Sequence, residues 1–218
     1  MQEAKKKLHK MIIPALIESQ SLPGFVTTDG GGRIFNRLIG GNTGPTHTMD
    51  DILNLLNKTL GCLQAYYCEH TVLQQTVTEL LKLIGVTSFN DLLMRRGFCS
   101  WKRGIQIQVR ADSWRTGLTA QYNTTRLEEW CKSHEIPEGT LQLEHLMQAT
   151  KLLQLKKATM HDIEVVFDVC WLLTPSQINK LVSSYSTADY ENPISPEILR
   201  AVATRVTAGG ASESRTLS

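Results

Sequence analysis

A repeated start signal constrains this chain more than any other feature. Thr48-Met-Asp-Asp51, Thr159-Met-His-Asp162 and Thr174-Pro-Ser-Gln177 each place a hydroxyl three residues before an acid or amide, and Ser195-Pro196-Glu197 opens in the same way. Such a hydroxyl accepts an orphan N–H of a helix's first turn, and a proline just after it loses nothing. Apolar residues then recur at three- and four-residue spacing. Ile52, Leu55, Leu56, Leu60 and Leu63 follow Thr48, and Ile163, Val166, Phe167, Cys170 and Trp171 follow Thr159. That period belongs to helices packed along one face.

The same reading predicts helices over Met1 to Gln20, kinked or ended by Pro14, over Thr71 to Leu83, stopped by Gly85, and over Ser88 to Arg96. Others are expected over Arg126 to His134 and Leu141 to Leu155, and a short one around Ile34 to Ile39. Ile105-Gln-Ile-Gln-Val109 is the one clear strand-like alternation. The expected fold is all-α: a bundle of amphipathic helices joined by loops. Its expected segments are an N-terminal helix (1–20), a glycine-rich flexible loop (21–48), a helical domain (49–206) and a disordered polar tail (207–218).

Composition narrows the function classes. The 218 residues suffice for one domain with a core, or half of a larger one. With 23 basic and 21 acidic side chains, the balance does not point to nucleic-acid binding. No apolar run approaches the roughly 18 residues of a membrane span. The N-terminus lacks the cleavage pattern of a signal peptide. Five irregularly spaced cysteines fit reduced thiols in a cytoplasmic protein.

The chemical motifs are mostly negative. Gly30-Gly31-Gly32 has no following Lys-Ser/Thr, so it is not a P-loop. The histidines lack metal-ligand spacing, and no metal or cofactor is expected. Cys131 and His134, with His145 further on, form the nearest approach to a nucleophilic pair, without an orienting motif. Lys156-Lys157 and Lys5-Lys6-Lys7 read as solvated helix ends. Asp189-Tyr190-Glu191 reads as a loop packed by its tyrosine ring. The best candidate for partner binding is a loop in which Arg95, Arg96, Lys102 and Arg103 interleave with Phe98 and Trp101. Guanidinium and indole groups together favour interface hot spots.

Three ordered blocks carry a family likeness: LLMRRGFCSWKRG from Leu92 with YNTTRLEEW from Tyr122, LQLEHLMQATKLLQLKKAT from Leu141, and LTPSQINKLVSSYSTADYENPISPEIL from Leu173. They resemble the dilute domain of the globular tail of class V myosins, most nearly the fungal type and its C-terminal half. The resemblance implies an all-helical cargo-binding module without catalysis of its own. Implied partners are protein receptors on organelles or vesicles, Rab-type GTPases and the rest of the heavy chain, near the actin cytoskeleton. An autoinhibitory or scaffold role without motor association is the alternative. The family's motor, light-chain repeats, coiled coil and first tail half are not in this sequence, so the chain reads as cut at both ends. Val109 to Gln121 interrupts a junction that the family keeps short; removing it joins Gln108 to Tyr122 as GIQIQYNTTRLEEW. Its possible codons at Val109-Arg110, Leu118-Thr119 and Gln121 resemble splice signals, so a retained intron is favoured over a natural loop insertion.

Overall fold

A computed structural model describes residues 1–18, 47–95, 99–107, 123–187 and 192–213. Every regular element among them is helical. In chain order these are α1 (Gln2–Ile12), a π-helical turn (Ile13–Glu18), α2 (Met49–Ala65), α3 (His70–Met94) and α4 (Trp101–Ile107). They continue with α5 (Asn123–Ser133), α6 (Pro137–Leu141), α7 (Glu144–Gln154), α8 (Met160–Val169), α9 (Pro175–Ser183) and α10 (Pro196–Glu213). The glycine-rich 21–46, including Ile34 to Ile39, lies outside the described residues, as do Val109 to Gln121 and Asp189-Tyr190-Glu191.

The start signals work as expected. Thr159 and Thr174 each form a reciprocal capping box, with Asp162 and Gln177 returning a bond to the cap N–H, and at Thr48 the Asp51 carboxylate accepts both the cap N–H at 2.8 Å and the hydroxyl at 3.2 Å. The Ser195 hydroxyl accepts the Ile198 N–H at 3.3 Å. Pro14 ends the regular α-helix: it has no N–H for the residue-10 carbonyl, and the chain widens into the π turn.

The long helix α3 is the axis of the bundle. It packs on α1, α2, α6 and α7, and buries Leu73, Val77, Leu80, Leu81, Ile84 and Leu92. Two separate helices were expected here, with Gly85 as the stop. Gly85 instead sits inside α3, at a crossing so close that a Cβ would lie 2.1 Å from the Gln142 carbonyl oxygen. The glycine serves the approach of the α6–α7 turn, and packing outweighs its weak helix propensity. Gly104 does the same for α4 on α7, where a Cβ would meet the Thr150 oxygen and Leu153 Cβ at 2.9 Å. That contact also explains why the alternating Ile105 to Ile107 is helical and not a strand: α4 begins with Gly104 N–H on the Ser100 carbonyl at 2.9 Å and then lies along α7.

Other boundaries differ for local reasons. The expected Leu141–Leu155 helix is split, because Pro137 starts the short α6 and the chain turns at Gln142. Lys157 is no solvated end. It is buried, and its ammonium donates to the Leu153 and Leu155 carbonyls at 3.2 and 2.6 Å, capping α7, and lies 4.0 Å from the Tyr185 ring. The tail expected to be disordered from 207 continues α10 to Glu213. The helix is seeded by buried Ile198 and Val202, and each added residue then gains a bond. Trp171, placed by its spacing in the core stripe, lies past the end of α8 and is 71 % exposed.

Candidate functional site

The candidate loop divides on inspection. Arg95 follows the last residue of α3, half-buried, with Nε 3.0 Å from Asp91 Oδ1. Met94 beside it is 79 % exposed. Trp101 is half-buried at the start of α4. Arg96 lies outside the described residues, as does the side chain of Lys102. Arg103 points the other way. It is 8 % exposed, and Nη1 donates to the Ile17 carbonyl at 2.7 Å. Asn123 joins it, donating from Nδ2 to the Ala15 carbonyl at 3.1 Å and the Leu16 carbonyl at 3.4 Å.

These two residues hold three successive carbonyls of the π turn, those of Ala15, Leu16 and Ile17. Arg103 of SWKRG and Asn123 of YN are therefore clamps on the N-terminal segment. Thr124 Oγ1 donates to the Ile107 carbonyl at 2.9 Å, which closes the two flanks of the 109–121 segment on each other. Of the six residues named in that loop, Arg95 and Trp101 remain on a surface the structure describes, Arg103 is removed from it, and Phe98, like Arg96, lies outside the described residues.

The Cys–His candidate does not assemble into a reactive pair. Cys131 is fully buried, and burial, with the Glu128 charge adding to it, pushes its thiol up to about 11. A nucleophilic thiol needs the opposite shift. His134 bonds through Nδ1 to the Trp130 carbonyl at 2.8 Å and stacks on the indole at 4.3 Å. His145 meets the Phe89 ring edge-on at 5.9 Å. Burial pushes Cys99 and Cys170 up to about 11 as well. Among the described residues no cluster of three or more ligating side chains could hold a metal ion.

One surface escaped the sequence reading. At the corner between α2 and α3, Tyr66 is 83 % and Tyr67 95 % exposed. Tyr67 has φ 54°, a left-handed conformation unusual for a bulky residue. The turn is held by Tyr66 N–H on the Cys62 carbonyl at 3.2 Å and Tyr67 N–H on the Gln64 carbonyl at 3.0 Å. Beside it a groove of about 250 Å³ opens against the α5–α6 turn. Leu60, Leu73 and Ile136 give it apolar walls, and His70, His134 and Glu135 add polar ones. Exposed phenol rings with polar tips next to an apolar recess suit protein recognition. The available signal was the Tyr-Tyr pair just past Leu63, where the α2 stripe ends.

Among the described residues no helix is long and apolar enough to cross a membrane. The DIL domain family matches in two pieces, residues 75–113 and 110–189. Myosin-2 of Lachancea kluyveri is 43 % identical over 209 residues, 94 % of this chain and 12 % of the relative's length. Human unconventional myosin-Va is 31 % identical over 164 residues, 74 % of this chain and 8 % of its own length. Among solved structures, the Myo2 globular tail domain bound to Mmr1 superposes with TM-score 0.77 at 41 % identity, covering 96 % of this chain and 45 % of that one. A structure described as a myosin V cargo binding domain gives TM-score 0.77 at 40 % identity, with 96 % and 46 % covered.

Proposed function

The chain belongs to the DIL domain family, among the class V myosin tails, and from that membership we propose that it is part of the cargo-binding module of an actin-based motor. Its partners are protein adaptors or receptors on organelles and vesicles, with Rab-type GTPases as a second partner class, all on the cytoplasmic side. The observation that carries this reading is the fit, at 38 to 41 % identity, to Myo2 tail structures solved with Smy1, Inp2 and Mmr1. The described surface agrees with it: Arg95, Trp101, Tyr66 and Tyr67 are binding chemistry, and the one Cys–His candidate is inert.

This chain corresponds to under half of those solved tails, so binding is tested in the whole tail. Adaptor fragments are titrated calorimetrically against a tail containing this segment and against one with the segment replaced by a dilute domain from a junction scaffold. Saturable binding by the first and none by the second is expected; equal binding by both would end the proposal. Neither actin-activated ATP hydrolysis nor actin cosedimentation is expected of this chain, and either would contradict its assignment to the tail.

A further inference from the structure

We propose that Ser195 is a phosphorylation site for a proline-directed serine/threonine kinase, and that the fold selects it over Thr174. The chain offers the same chemical dipeptide at both places: Thr174-Pro175 opens α9 and Ser195-Pro196 opens α10. A kinase of this class takes its substrate extended, in a cleft that accepts a residue without an N–H after the acceptor. Proline supplies that residue and biases the one before it toward extended backbone.

The surroundings separate the two. Thr174 is locked on both sides. Its hydroxyl accepts the Gln177 N–H at 3.2 Å, and its own N–H donates to Gln177 Oε1 at 2.9 Å. Leu173 is buried, and the Leu172 N–H is tied to Gln148 Oε1 at 2.9 Å. Feeding Thr174 to a cleft means pulling Leu173 from the core. Ser195 is itself half-buried where Thr174 is exposed, so the approach and not the hydroxyl's exposure separates them: Asn192, Pro193 and Ile194 before it are non-helical, the first two exposed and Ile194 only half-buried against the core, and Pro196 and Glu197 beyond it are exposed. Among the described residues, no hydrogen bond ties the backbone of 192–194 down. Its hydroxyl makes one long bond, from the Ile198 N–H at 3.3 Å.

In the reaction, the Ser195 oxygen attacks the γ-phosphorus of Mg·ATP. The new O–P bond replaces the one to ADP, and the hydroxyl proton passes to the kinase's base. The product places a dianion at the N-terminus of an eighteen-residue helix. There its added charge faces the Ile198 N–H that already bonds the Ser195 oxygen and the positive end of the dipole, and it holds α10 more firmly.

The test incubates the folded 218-residue chain with a proline-directed kinase and Mg·ATP, followed by site mapping by mass spectrometry and a melting curve. Near-stoichiometric phosphate at Ser195, little at Thr174 and a rise in Tm of roughly 1–4 °C are expected. Pro196→Ala keeps the capping hydroxyl and should abolish labelling, so a folding defect of Ser195→Ala does not decide the matter. The heat-unfolded chain should be labelled at both positions. Phosphate at Thr174 in place of Ser195, at both equally in the folded chain, or at neither would overturn the proposal.

Discussion

Arg103 carries a full charge into a site that is only 8 % exposed, where it holds the Ile17 carbonyl. Removing a charged donor from a buried acceptor costs about 1.5–3 kcal/mol. Arg103→Met is therefore expected to lower stability by that amount in a denaturant titration, while Arg95→Met, on a partly exposed pair, changes it by about 1 kcal/mol or less. Equal losses would mean that Arg103 is not a clamp. Nothing in the letters SWKRG distinguishes an arginine that turns inward from one that faces a partner; the direction depends on where the π turn ends, and that is a tertiary fact. The thiols give a second check at this scale. Cys62 is exposed, whereas Cys99, Cys131 and Cys170 are buried with thiols at about 11. An alkylating reagent at neutral pH should modify Cys62 in the native chain and reach those three only on unfolding. Rapid native labelling of Cys131 would contradict its burial.

At the scale of elements, capped helix starts were legible, whereas the starts of α4 and α6 and several helix ends were not. Caps are local chemistry: a hydroxyl, an acid and their spacing are all in the sequence, so Thr48, Thr159, Thr174 and Ser195 were found. Gly85 shows the limit. A glycine after an apolar stripe reads as a stop, and only the Gln142 carbonyl 2.1 Å from its absent Cβ reveals a crossing. The flanks of Val109 to Gln121 are also an element-scale matter. Thr124 is bonded to Ile107, so the chain leaves and returns at one point. Deleting those thirteen residues shortens a closed loop several-fold, and loop entropy alone then favours the folded chain by about 1–2 kcal/mol. A higher melting temperature for the deletion is the expected result. An unchanged or lower one would mark the segment as a working part of the fold, and a CAA codon at Gln121, which lacks the acceptor AG, would remove the retained-intron explanation.

The whole molecule has an acid limit written into its caps. Bonds from the Thr48 backbone hold the Asp51 carboxyl below its ordinary value, and bonds from the Thr159 side chain and backbone do the same for Asp162. A carboxyl depressed in the folded state adds stability above the unfolded value near 3.8, and that share is lost as pH falls through the lower folded value. Neither residue is buried, so each share is small. Glu128 has the opposite sign: burial raises it, so its charge weighs against the fold at neutral pH and Glu128→Gln should stabilise there. Melting temperatures should fall below about pH 4, less steeply in the Asp51→Asn, Asp162→Asn double variant; an identical acid limb would show that the boxes contribute nothing.

The two exposed surfaces lie at opposite ends of α3, Tyr66-Tyr67 before its first turn and Arg95 after its last. Twenty-five residues of helix separate them by roughly 37 Å. A short adaptor peptide cannot sit on both, so the surfaces are expected to act separately. In the whole tail, reversing Arg95 and Lys102 to Glu should slow association with an acidic partner and weaken its salt dependence. Arg103 is left intact, because its loss would disturb the N-terminal clamp. Tyr66→Ala with Tyr67→Ala should instead raise the dissociation rate of a partner seated at the corner, with salt dependence unchanged. Binding kinetics measured against each adaptor at two ionic strengths distinguish the cases. If both variant pairs fold normally and bind every adaptor and Rab-type GTPase as the unaltered tail does, neither surface is a cargo site, and the search moves to the apolar residues exposed elsewhere, Trp171 and Leu141 among them.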